Sequence, residues 1–98
     1  MTINKTLNGQ TLTLALEGRL DTSTAPQLES EVKSSVEGIT DLIFEISGLE
    51  YISSAGLRVL LSAQKIMNKQ GSMKVKGANE AIMEIFDVTG FVDILNIE

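Results

Sequence analysis

Ninety-eight residues suffice for one small domain, and the chain carries no Cys, His or Trp. That excludes disulfides, thiolate zinc sites, Ser-His-Asp or Cys-His catalysis and phosphohistidine chemistry. The net charge of −5, from 8 basic and 13 acidic residues, disfavours direct contact with nucleic acid, whereas 43% apolar residues can supply a core.

No apolar run approaches membrane-spanning length, and no basic-then-apolar leader opens the chain. A cytoplasmic domain with no membrane partner is expected. Thr2–Leu7 and Gln10–Leu16 flank Asn8-Gly9, a strong short hairpin signal because both residues tolerate positive φ. Leu12, Leu14 and Leu16 alternate with Thr11, Thr13 and Ala15, as in a half-buried strand. Glu17–Ser23 is expected to be a connector. Thr24 then suits the cap of a helix, with Pro26 in the first turn and Gln27 placed to reach back in a capping box. Ala25, Leu28, Val32 and Ile39 share a face, and the helix should end before Gly38. With Thr24 as cap, Asp21 is a turn-former.

Asp41–Ile46 is almost wholly apolar and suits a central strand, after which Ser47–Glu50 is expected to turn the chain. A second helix pattern holds from Gly56 onward. Leu57, Leu60, Ala63, Gln64 and Met67 recur on one side, widened by Val59 and Ile66; Arg58, Ser62, Lys65 and Lys69 fall opposite. Ser53 or Ser54 is its cap. Gly56, in the first turn, is expected to leave an open patch of backbone there. The helix should stop near Gln70-Gly71, followed by a strand at Met73–Lys76 with its lysines on a solvated face or edge. Asn79 can cap a third helix lined by Ala78, Ile82, Ile85, Phe86 and Thr89, with Gly90 just past its end. Phe91–Ile97 is either a helical turn and a strand or a tail packed on the sheet.

This order predicts an α/β fold over residues 1–98, with a mixed four- to five-stranded sheet and amphipathic helices packed mainly on one face. No phosphate-cradling loop and no nucleophile–base pair is present. No enzyme and no cofactor is therefore expected. A Ser-Ser before a helix is most often simply a cap. It can also be a phosphoacceptor, because free N–H groups and the macrodipole accept negative charge there.

Ile52-Ser53-Ser54-Ala55-Gly56-Leu57, taken with Gly18-Arg19-Leu20-Asp21, resembles the STAS family, in particular the bacterial anti-sigma factor antagonists. The resemblance spans nearly the whole chain and includes Thr24-Ala25-Pro26, Gly71 and Phe86–Phe91. It implies that Ser54 is the phosphoacceptor, Gly56-Leu57 the motif Gly-Leu, and Asp21 an acidic loop residue nearby. It implies a partner-docking surface of Asp21, Thr22, Ser53, Ser54, Ala55, Gly56 and Arg58. The partners would be an anti-sigma factor that is a GHKL-type serine kinase and a PP2C-type phosphatase, and the free chain would be a monomer. Binding would release a sigma factor, and phosphorylation would end it. Ser53 departs from the family's usual Asp, and Ala55 stands where a second hydroxyl is common; Ser53 is the lesser candidate acceptor. An alternative within the same family is an accessory subunit of a lipid or anion transport system, where this helix contacts a transporter ATPase or membrane domain.

Overall fold

A computed structural model describes residues 1–98. The elements run β1 (Thr2–Asn8), β2 (Thr11–Leu20), α1 (Ala25–Ser35), β3 (Asp41–Ile52), α2 (Ser54–Gln70), β4 (Ser72–Lys76) and α3 (Glu80–Thr89), then a 3₁₀ turn at Phe91–Asp93. One four-stranded sheet has the order β1-β2-β3-β4. The hairpin β1–β2 is antiparallel, and Gly9 takes the positive φ (64°) that its turn requires. The β2–β3 and β3–β4 pairs are parallel, each joined by a crossover helix.

Successive right-handed crossovers in one direction bring α1 and α2 to the same face. Burial agrees. Alternate residues Leu12, Leu14 and Leu16 of β2, Leu42, Phe44 and Ile46 of β3, and Met73 and Val75 of β4 are buried. They form one apolar cluster with Leu28 and Val32 of α1, Leu60, Ala63 and Met67 of α2, and Ile82 and Phe86 of α3. The other sheet face presents half-buried Thr13, Ile43 and Lys74 to solvent. No helix is long and apolar enough to cross a membrane.

Both central strands are longer than their composition suggests. Glu17–Leu20 is not a connector and Ser47–Glu50 is not a turn, because the two stretches pair with one another. Glu17 lies opposite Gly48, Gly18 opposite Leu49 and Leu20 opposite Ile52, with register shifts after Ala15 and Gly18. Those irregularities let Gly and charged residues stand inside a ladder.

Cap chemistry also differs at α1. Thr24 makes no capping hydrogen bond to the helix and no capping box forms with Gln27. Instead the Thr24 hydroxyl donates to the Arg19 carbonyl at 2.8 Å and accepts from the Asp21 amide at 2.8 Å. The helix ends at Ser35, so Ile39 joins the core from the following turn rather than from the helix face. At α3, Asn79 accepts from the Ile82 amide at 2.9 Å, and Gly90 ends the helix in the left-handed conformation. Thr89 is exposed rather than on the packed side; its hydroxyl turns back to the Ile85 carbonyl. The tail contributes no fifth strand. After the 3₁₀ turn, only Ile97 bridges to Val75 along the outer edge of β4.

Candidate functional site

In open α/β sheets, binding crevices form beyond the carboxyl ends of the strands. Here the carboxyl ends of β2 and β3 deliver the Asp21–Thr24 loop and the start of α2 side by side. The Ser53 amide donates to the Leu20 carbonyl at 2.9 Å, which ties the two segments together.

Ser53 is the cap of α2. Its backbone is extended, its hydroxyl accepts from the Gly56 amide at 3.3 Å, and its carbonyl accepts from Leu57. Ser54 is the first helical residue. It is exposed and its hydroxyl has no hydrogen-bond partner within the chain. The first turn of α2 contains no acidic residue. The Ser54 and Ala55 amides therefore point outward as free donors at the positive end of a seventeen-residue helix. Arg58, one turn on from Ser54, is exposed and joins no ion pair.

Gly56 behaves differently from expectation. It is buried, and a Cβ there would lie 2.7 Å from Leu20 Cγ and 3.0 Å from Ile52 Cγ1. The missing side chain thus serves the chain's own close packing of α2 on the strand ends; no open backbone is left at this residue. Gly56→Ala should lower stability by about 1–3 kcal/mol, because two core side chains would have to shift. A denaturant midpoint equal to wild type would contradict that packing role.

No side chain caps α1, and Asp21 organises the neighbouring loop. Its Oδ1 accepts from the Ser23 hydroxyl at 2.7 Å, the Ser23 amide at 3.0 Å and the Thr24 amide at 3.1 Å. The Ser23 hydroxyl, against some opposing desolvation and with help from the Thr24 and Ser23 amides, holds its carboxyl below the usual Asp range. A depressed folded-state pKa means that the loop's stabilisation is present above the unfolded value and is lost as pH falls through the lower folded one. Amide shifts of Ser23 and Thr24 should therefore titrate below the ordinary Asp value. Titration at or above it would contradict the network.

Thr22 is exposed in the same loop. Two further residues escaped the sequence reading. The Arg19 guanidinium lies 4.4 Å from the ring centroid of Tyr51, and its Nε is 3.8 Å from Asp21 Oδ2. Arg19 and Tyr51 are partners across the parallel β2–β3 pair. Their thirty-two-residue separation conceals this until the register is known. Exposed Arg and Tyr side chains beside the loop are the residue types that anchor protein interfaces.

The surface so assembled is a polar edge with a free serine hydroxyl, free amides and one carboxylate loop. It suits protein contact and modification of a hydroxyl. A family model described as STAS domain matches residues 2–98. The chain is 31% identical over 91 residues to the anti-sigma-B factor antagonist of Bacillus subtilis, covering 92% of this chain and 84% of that protein. An anti-sigma factor antagonist structure from Mycobacterium paratuberculosis superposes with a TM-score of 0.89 at 22% identity, covering 98% of this chain and 83% of that one. Bacillus SpoIIAA, an anti-sigma factor antagonist, has structures in unphosphorylated and phosphorylated forms. Both give a TM-score of 0.78 over 99% of this chain, at 14% and 15% identity, and 87% and 91% of those chains are covered.

Proposed function

This chain belongs to the STAS domain family, among the anti-sigma factor antagonists, which are non-enzymatic regulators, and we propose that it works as a partner switch controlled at Ser54. Unmodified, it binds an anti-sigma factor through the loop at Asp21 and Thr22 and the start of α2 at Ser53, Ser54, Ala55 and Arg58, with Gly56 holding that helix start in place. The sigma factor is thereby released. The anti-sigma factor, a GHKL-type serine kinase, phosphorylates Ser54 in the cytoplasm, and a PP2C-type phosphatase restores the hydroxyl.

The observation that carries this reading is the contrast between the two serines. Ser53 is half-buried with its hydroxyl engaged by the Gly56 amide, whereas Ser54 is exposed and unengaged. A kinase can reach the second without undoing a cap. Phosphorylation adds roughly −1.5 to −2 charges at a helix N-terminus, where free amides and the macrodipole favour them, so the domain stays folded. Exposed Arg58 lies within one turn to pair with the new dianion. A docked partner faces the opposite balance. It must desolvate that dianion beside the Asp21 carboxylate, which is a costly burial.

The test is displacement. Adding the unmodified chain to a preformed complex of the cognate anti-sigma factor and sigma factor should free the sigma factor, read by size-exclusion chromatography. No displacement at saturating antagonist would refute the assignment and turn attention to a transport ATPase as partner.

A further inference from the structure

The chain carries only two arginines, Arg19 and Arg58. Arg58 lies one turn along α2 from Ser54 and is free, whereas Arg19 is held in place. Its guanidinium carbon sits 4.4 Å from the Tyr51 ring centroid, and its Nε is 3.8 Å from Asp21 Oδ2. Arg19 stands two residues before Asp21, and Tyr51 stands two residues before Ser53, the cap of α2. Register sets the pair opposite one another, directly behind Leu20 and Ile52. Each central strand thus places one large side chain just behind its own docking segment.

A guanidinium held over a ring and beside a carboxylate is restricted before any partner arrives. Its donors nonetheless stay unused. At 3.8 Å the Asp21 contact is an ion pair without a hydrogen bond, and the hydrogen bonds to that carboxylate come from Ser23 and Thr24. An ion pair this long, with the Arg19 side chain 59% exposed, contributes little to folding. A fixed planar fork of N–H donors on an aromatic floor is instead complementary to a carboxylate, which it can grip with two parallel hydrogen bonds. We propose that Arg19, presented on Tyr51, is a specificity-determining anchor of the docking surface and takes an Asp or Glu carboxylate of the anti-sigma factor. This rests on the partner-switch reading and adds the sign of the charge that the partner must bring. Asp21 selects a basic group and Arg19 an acidic one, so the two together fix the register of a mixed-charge patch. A partner carrying those charges in reverse order is rejected.

The experiment measures the Kd of the full chain for the anti-sigma factor used in the displacement assay. Arg19→Lys keeps the charge but loses the fork and the stack, and should weaken binding about tenfold; Arg19→Glu should weaken it about a hundredfold. Tyr51→Phe keeps the ring and should bind within about twofold of wild type, whereas Tyr51→Thr, which suits a strand, should lose about fivefold. Both side chains are exposed, so the melting temperature should stay within about 2 °C in every variant. When the Asp and Glu residues of the anti-sigma factor are changed to Arg one at a time, one such change should recover about tenfold of the affinity lost by Arg19→Glu. Arg19 variants that bind within about twofold of wild type, the lack of any reciprocal partner residue, or a loss confined to the Ser54-phosphorylated chain would each overturn the anchor and leave the partner assignment standing. No binding by wild type would overturn that assignment and the anchor with it, whereas equal binding by Ser54→Asp would overturn the switch alone.

Discussion

Ser54→Asp should lower the affinity for the anti-sigma factor by about a hundredfold, while Ser54→Ala should bind within about twofold of wild type and resist inactivation by kinase and ATP. The asymmetry follows from where the charge sits. Ser54 opens α2, so a carboxylate there meets the free Ser54 and Ala55 amides and no acidic neighbour in the first turn. The free domain should therefore keep its melting temperature. A partner seated over the same hydroxyl has to strip water from the carboxylate, and the Asp21 loop adds repulsion. Isothermal titration calorimetry on both variants, with thermal unfolding run in parallel, separates the binding effect from any folding effect. A hundredfold loss accompanied by a collapsed melting temperature would assign Ser54 a structural role instead.

Gly71→Ala should produce the largest loss of stability of any single methyl addition in the chain, about 3–5 kcal/mol. Gly71 joins α2 to β4 with an extended backbone. Its difficulty is space rather than φ. A Cβ would overlap the Thr40 carbonyl oxygen and lie 2.7 Å from the Thr40 carbonyl carbon. Those are backbone atoms, and they are pinned. The Ser72 amide donates to the Thr40 carbonyl at 2.9 Å, and the Gln70 side-chain amide donates to the Val36 and Ile39 carbonyls at 2.7 Å each. Relief would require moving the start of β3 away from the start of β4, where Asp41 and Ser72 begin the parallel pairing. For a domain of this size the melting temperature should fall by more than about 12 °C. A fall of only a degree or two would mean that this junction is softer than its hydrogen bonds indicate.

What could be read from the residues and what could not divide along the range of the interaction. The Asn8-Gly9 hairpin, the Asn79 cap and the Gly90 stop are local, and each was legible because the residue and its partner lie within a few positions. Helix faces were legible by periodicity, except at Thr89, where a hydroxyl bonding back to the Ile85 carbonyl replaces burial, and at Ile39 and Ala78, which lie outside the ends of α1 and α3. The outer halves of β2 and β3 were not legible. Gly18 and Gly48 resemble loop residues until the two strands are laid together, and only then does each stretch supply the other's ladder. The same blindness covers the Arg19–Tyr51 stack and the close packing of Gly56 on Leu20, both set by β2–β3 register. At the candidate site, the resemblance singles out Ser54 as an expectation. That Ser53 is the cap, and Ser54 is therefore the free hydroxyl, needed the geometry. Asp21 was underestimated for a similar reason. Its carboxylate gathers the Ser23 and Thr24 amides, and the Thr24 hydroxyl turns back to the Arg19 carbonyl and not forward to the helix.

One side-by-side measurement bears most directly on the switch. The chain is treated with the cognate kinase and ATP, the phosphate is located by mass spectrometry, and the Kd of modified and unmodified protein for the same anti-sigma factor is determined. The account predicts phosphate on Ser54 and a loss of affinity of about a hundredfold or more. Phosphate on another residue, or indistinguishable Kd values for the two forms, would contradict it.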